Sequence, residues 1–131
     1  MNKMSSLEKV VYDLLHNADI DFQREKIFTD CYNGRYRYDF YLPHHNVLIE
    51  IQGAAHYEFI PKFFSKKSDF LKAQERDRRK ISYALAHGIQ LYCIPYWEIK
   101  NLREVEDLFN PKFLAHNKFH NDDTWRAHQN R

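Results

Sequence analysis

Two neighbouring apolar runs, Tyr36–Leu42 and Val47–Gln52, are separated only by the break Pro43-His44-His45-Asn46. Both alternate and are rich in Tyr, Phe, Val and Ile, which reads as a β-hairpin with a loop of about four residues. Setting Leu42 against Val47 and counting back pairs Tyr41 with Leu48, Phe40 with Ile49 and Asp39 with Glu50. Like charges facing each other across a ladder are destabilising. A chain that keeps two carboxylates there is expected to place a cation between them. A hard divalent ion held by carboxylate oxygens is the first candidate.

The chain has 131 residues, enough for one domain of two or three layers. No apolar run approaches the roughly 20 residues that span a bilayer, and MNKMSSLEKVV lacks a signal-peptide core. The expectation is therefore a cytoplasmic chain without membrane contact. Cys31 and Cys93, two lone thiols without metal-ligand spacing, are expected to be reduced there. The net charge of +2 conceals an asymmetry: residues 62–80 carry eight Lys and Arg against three carboxylates. Such a stretch is often just a solvated helix face. Beside a carboxylate pair it also suits an anionic polymer with phosphates to neutralise.

Leu7, Val10, Val11, Leu14 and Leu15 recur at helical spacing, so residues 5–17 are predicted to form a helix with Ser5-x-x-Glu8 as its capping box. Asp21–Phe28 reads as a first strand, followed by a turn around Asn33-Gly34. Residues 57–67 mix aromatic and basic side chains without a period and read as a loop. A second helix is predicted over 68–87, stopped by Gly88, with Phe70, Ala73, Gln74, Asp77, Ile81, Ala84 and Leu85 inward. In this reading Glu75, Arg76, Arg79 and Lys80 lean toward water. Ile89–Ile94 is apolar enough for a central strand, and Asn101-x-x-Glu104 opens a last short helix. The order αβββαβα describes an α/β sandwich with a mixed sheet, one domain over 1–110 and a tail over 111–131. His116 and His120 in that tail have no third ligand to make a zinc site.

Asp39 and Glu50 are the leading metal ligands; Glu50, inside LIEIQ, would be costly as an unpaired charge on a covered strand. Gln52 shares a face with Glu50 and can orient a water, though an amide is no base. His56 follows Gly53-Ala54-Ala55 and can take a proton or hold a phosphate, unless it merely ends the turn. Asp77 lies on an apolar helix face and needs a partner: the metal, His56 or an arginine. Glu8 is explained by its capping role alone.

The run RYDFYLPHHNVLIEIQGAAHY, followed by QERDRRKISYALAHGIQLYCIPYWEI, resembles the PD-(D/E)XK nuclease superfamily. Within it the similarity is to the very-short-patch-repair-like branch with an E-D-x-H-D pattern, which includes phage homing endonucleases. The resemblance covers roughly residues 5–100. It implies a restriction-endonuclease-like αβββαβ core, a mixed sheet flanked by helices, with a short C-terminal helix and tail added. It implies Asp39 and Glu50 as ligands of Mg²⁺, for which Mn²⁺ would substitute, with His56, Asp77 and Glu8 at the branch's remaining positions. Gln52 stands where the superfamily usually has lysine, which leaves open whether Gln52 or His56 handles the attacking water.

The implied reaction is hydrolysis of DNA phosphodiesters in the cytoplasm of a bacterium or phage-infected host. Lys62, Lys66, Lys67, Arg76, Arg79 and Lys80 would track the DNA backbone. Tyr57, Phe59 and Phe63 would pack on sugars or bases, or simply form an apolar lid. A chain this small covers a short site, and a homodimer is one way to extend it. The alternatives are a branched-DNA or Holliday-junction resolvase, against which the missing lysine and the histidine after the glycine turn count, and a non-catalytic DNA-binding accessory protein retaining the fold. An interaction domain unrelated to DNA would leave the basic stretch and the facing carboxylates unexplained.

Overall fold

A computed structural model describes residues 4–53 and 66–115. The order is α1 (Ser6–Asn17), β1 (Gln23–Ile27), β2 (Arg37–Leu42), β3 (Val47–Gln52), α2 (Lys67–Ala86) and β4 (Gln90–Pro95), followed by short 3-10 turns. The four strands form one mixed sheet in the order β1-β2-β3-β4, antiparallel except for the parallel β3–β4 pair. The coarse α/β class expected from the sequence is thus the one observed. No helix among the described residues is long and apolar enough to cross a membrane.

Two apolar layers hold the sheet. On one face, Val11 and Leu15 of α1 and Leu108 and Phe113 from the C-terminal turns pack on Phe40, Leu42, Val47, Ile49, Ile51 and Ile94. On the other, Ile81 and Ala84 of α2 pack on Tyr38, Leu48 and Leu91. β3 is buried along its whole length because helices cover both of its faces. Val47, Ile49 and Ile51 go to the first layer and Leu48 to the second, as the period of two requires.

The capping box of α1 is present: Glu8 N donates to Ser5 Oγ at 3.1 Å and Ser5 N to Glu8 Oε1 at 3.4 Å. Gly88 terminates the turn after α2 at φ +68°, a conformation that carries no Cβ penalty only for glycine.

Four expectations need correcting. Among the described residues β4 is an edge strand: an apolar run is satisfied equally by cover from segments that pack beside it. Leu114 bridges Tyr92, and Ala115 N donates to Leu91 O at 2.8 Å. The short helix expected after Asn101 is instead a set of 3-10 turns at Tyr96–Asn101, Val105–Phe109 and Pro111–Phe113, with a capping box at Glu104 and Asp107. Residues 111–115, expected in the tail, are packed on the domain, since Phe113 is core. Leu85 is 41% exposed, so the buried face of α2 is centred on Gln74, Asp77, Ile81 and Ala84.

Removing the cap with Ser5→Ala should cost about 1 kcal/mol, and emptying the fully buried site of Ile49 with Ile49→Ala about 2–5 kcal/mol. Urea unfolding followed by circular dichroism checks both values. Equal losses would mean that Ile49 is not at the centre of the core.

Candidate active site

The hairpin register is the expected one, with Phe40 opposite Ile49, Tyr41 opposite Leu48 and Leu42 opposite Val47. The ladder stops at Phe40, and the next step places Asp39 against Glu50. There side chains take over from backbone pairing. Asp39 N donates to Glu50 Oε1 at 3.1 Å, and Ile51 N donates to Asp39 Oδ2 at 2.8 Å. Each carboxylate thus accepts a backbone N–H of the opposite strand, and the strands part at that point.

The irregularity extends to β1. Arg24 pairs with Phe40 and Lys26 with Tyr38, so Glu25 stands opposite Asp39, and its φ is +55°. A non-glycine residue held there stores strain of about 1–3 kcal/mol. β2 changes face at the same step. Strict alternation would send Tyr38 to the layer of Phe40 and Leu42, yet it packs with Ile81 of α2. Glu25, Asp39 and Glu50 therefore form a row of acids across three strands where the sheet's pleat is broken.

The cation between the facing carboxylates is in part a lysine. Lys80 Nζ lies 2.8 Å from Glu50 Oε1 and donates to Arg37 O at 2.6 Å, and both charged side chains are 9% exposed. The backbone carbonyl of Lys80 accepts from Tyr38 Oη at 2.7 Å. This corrects two expectations. Lys80 is buried and does not lean toward water, and the charge opposition at Asp39 and Glu50 does not by itself require a metal. Lys80 sits at the rim of the apolar face of α2, and its four-carbon stem is long enough to bring the ammonium to the sheet.

The buried polar residues among those described are Glu50, Gln52, Gln74, Asp77 and Lys80, all on β3 or α2. With Lys80 fixed on Glu50, Gln74 lies about 9 Å up the helix and Gln52 about 6.6 Å along the strand. Because α2 returns the chain from the end of β3 to the start of β4, both displacements point toward the C-terminal end of β3. Asp77 lies one helical turn from Lys80, within 3.5 Å of Arg76 Nε. Glu8 keeps its capping role, approaches Arg24 at 3.8 Å, and also lines the cleft beside Asp39.

Burial and then the Glu50 charge push the Asp39 carboxyl well above the usual carboxylate range, against the lowering effect of the Ile51 hydrogen bond and Lys80. Burial works to lower Lys80, but Glu50, Asp39 and Asp77 outweigh it and hold the ammonium above its ordinary value. Lys80 is therefore charged at neutral pH: it can donate hydrogen bonds and offset negative charge, but it cannot serve as a base.

The site opens into a cleft of about 320 Å³ whose wall combines Glu8, Glu25 and Asp39 with Arg35, Arg37, Arg76 and Lys80. A groove of about 270 Å³ at the other end of the hairpin is lined by Ile20, Leu42, Val47 and Phe109 and carries no carboxylate. Among the described residues no cluster of three or more His, Cys, Asp or Glu side chains is arranged to hold a metal. Two carboxylates nonetheless fit Mg²⁺, which is usually bound by one or two of them together with waters and substrate phosphates. The all-oxygen donor set of Asp39 and Glu50 also suits a hard cation.

Of the remaining expected residues, His56, Lys62 and the aromatics Tyr57, Phe59 and Phe63 lie outside the described residues. Lys66 and Lys67 are exposed at the start of α2. Arg79, with its side chain 39% exposed, lies over the Tyr32 ring at 5.1 Å and donates to Tyr36 Oη at 3.2 Å. Glu25, Arg35 and Arg37 line the cleft but were not singled out by sequence reasoning. Extending the hairpin register to β1 would have found Glu25, whereas no sequence signal marks the two arginines.

No family model and no solved structure matches the chain. Over 83 residues it is 33% identical to "Uncharacterized protein 307L" of Invertebrate iridescent virus 6, a match that takes in 62% of this chain and 42% of the viral protein. The chain thus covers less than half of that relative.

Two stability measurements test the electrostatics. Lys80→Met leaves Glu50 buried without its ammonium and should cost about 3–5 kcal/mol, with part of the loss recovered in Lys80→Met/Glu50→Gln. A fully additive cycle would deny the coupling. A carboxyl whose folded pKa is raised destabilises the fold progressively as pH climbs above the unfolded value and through the folded one. Asp39→Asn, which keeps an oxygen acceptor for Ile51 N, should therefore be more stable than wild type at pH 7 without added metal. The gap should narrow as pH falls through the raised folded value and vanish below the ordinary carboxylate value of about 4, where Asp39 is protonated in both folded and unfolded protein. A gap independent of pH would show that Asp39 is not the group responsible.

Proposed function

We propose that this protein is a metal-dependent endonuclease that hydrolyses phosphodiester bonds in DNA, built on a restriction-endonuclease-like core. The observation that carries the reading is the meeting of Asp39, Glu50 and the Lys80 ammonium at a break in the sheet, beside an arginine-lined cleft. Lys80 supplies from α2 the cation that the sequence lacks at Gln52.

In this reading Asp39 and Glu50 hold Mg²⁺, with Mn²⁺ as a substitute. When bound, the ion polarises the phosphate and lowers the pKa of a coordinated water. Lys80 Nζ donates to a non-bridging phosphate oxygen and offsets the charge that builds in the transition state. Arg37 O and Glu50 Oε1 hold its ammonium in place before substrate arrives. Gln52, buried on the same strand face as Glu50, orients solvent at the strand end. Asp77 adds negative charge that keeps Lys80 protonated. His56 is the proposed proton carrier.

A second reading gains from Lys80. The absence of lysine at position 52 counted against a resolvase of branched DNA, and a lysine delivered by α2 removes that objection. The test therefore includes both kinds of substrate. Supercoiled plasmid, the native genome and a synthetic four-way junction are incubated with the protein in Mg²⁺ or EDTA. Wild type should cut in Mg²⁺ only, Asp39→Ala should be inactive, and Lys80→Ala should lose about 10²–10³-fold in rate, each variant being checked for folding by circular dichroism. Preference for the junction would favour the resolvase. Absence of Mg²⁺-dependent cleavage on all three substrates would sink the nuclease reading, and metal-independent binding without cleavage would make this an accessory DNA-binding protein.

A further inference from the structure

The segment between β1 and β2 is unusually constrained. Tyr32, Asn33 and Gly34 have φ of +47°, +60° and +70°, three consecutive residues in the left-handed region. Only the glycine adopts it without penalty, and the other two cost about 1–2 kcal/mol each. α2 holds this turn in place. Arg79 stacks on Tyr32 and donates to Tyr36 Oη, while Lys80 Nζ donates to Arg37 O. The ammonium of the candidate centre is thus joined by one hydrogen bond of 2.6 Å to the first residue of β2, where the loop ends.

The result is that Arg35 and Arg37 are displayed on the cleft wall, with Arg76 of α2 on the same wall. Among the described residues the Arg35 guanidinium has no hydrogen-bond or ion-pair partner. Arg37 reaches Glu25 only at 3.9 Å, with its side chain 57% exposed, and Arg76 lies 3.5 Å from Asp77 and is 43% exposed. These are weak or shared contacts, and an anion in the cleft can replace or add to them. The acids on the same wall, Glu8, Glu25 and Asp39, disfavour a free anion in its centre. That arrangement suits a chain of phosphates bound at the cleft's rim better than a small anion enclosed within it. Arginine is the residue fitted to this, since its planar fork pairs with two phosphate oxygens at once.

We propose that Arg35, Arg37 and Arg76 form a phosphodiester-binding site that anchors the DNA strand on the β1–β2 side of the Asp39–Lys80 centre. The proposal rests on the nuclease reading and adds to it a strand path. The backbone crosses from Arg76 over Asp39 to the strained loop, instead of running along the outer surface of α2. Arg78, which pairs with Glu75 at 3.1 Å on that outer surface, lies off the path.

The test is the salt dependence of binding. A 30-base-pair duplex and a four-way junction are titrated with wild type, Arg35→Ala/Arg37→Ala, Arg35→Lys/Arg37→Lys and Arg78→Ala in Ca²⁺, over about 50–200 mM KCl. Plasmid cleavage in Mg²⁺ is run in parallel, and thermal unfolding confirms that each variant is folded. Loss of two phosphate contacts should lower the slope of log K against log salt by about 2 in the alanine pair. The lysine pair should keep most of the slope while binding more weakly, and Arg78→Ala should match wild type. An unchanged slope in Arg35→Ala/Arg37→Ala while wild type still cuts plasmid overturns this site and leaves the nuclease reading standing. An equal drop for Arg78→Ala overturns the path. Wild type that neither binds nor cuts DNA overturns both.

Discussion

The buried contact between Lys80 and Glu50 is the constraint on which the rest of the site depends. An ammonium and a carboxylate removed from water repay their desolvation only when the geometry is good and the remaining protons and lone pairs are used. Here one Lys80 proton goes to Glu50 and another to Arg37 O, while Glu50 Oε1 also accepts from Asp39 N. Tyr38 completes the arrangement by donating to the backbone of Lys80 itself. Four hydrogen bonds therefore converge from α2, β2 and β3, and they fix the height of the helix over the sheet. A purely apolar interface between α2 and the sheet would hold the layers together without fixing that height so narrowly.

The parting of β2 and β3 is the second half of the arrangement. In a regular ladder the main-chain groups at Asp39 and Ile51 would be consumed by strand pairing. Side-chain acceptors replace part of that pairing, so the two carboxylates are drawn in between the strands, and Asp39 lines the cleft. The strain this entails is visible on the neighbouring strand, where Glu25 is held left-handed opposite Asp39. Strain of this kind persists where surrounding structure over-determines it. The apolar layers on both faces of β3 provide that determination.

Much of the frame was legible along the chain. The hairpin register follows from a period of two, in which a slip by one residue would send every side chain of a strand to the opposite face of the sheet. The capping box at Ser5 and Glu8 and the stop at Gly88 are local chemistry, set by neighbours in sequence. Asp77 could be placed inward because it falls on the same helical stripe as Gln74, Ile81 and Ala84. Lys80 could not. It follows Arg78 and Arg79 in a run of cations that reads as a wet surface, and only the position of the sheet beneath it turns the rim of the helix into a buried site. Arg35 was missed for a related reason: a loop's side chains have no period, and three left-handed residues redirect them in a way that composition does not reveal. Arg37 opens β2 just beyond that turn, where the change of face between Tyr38 and Phe40 upsets the simple alternation.

The sequence by itself determined the element order as far as β4, the hairpin pairing and the fact that two carboxylates must face one another, because each depends on contacts between residues near in sequence or on a fixed period. Tertiary structure alone decided how that opposition is relieved. The relieving charge comes from Lys80, 30 positions beyond Glu50, and long-range pairing of charges has no local signature. It is set by where apolar packing leaves α2 on the sheet, and by the length of one lysine side chain reaching down from its edge.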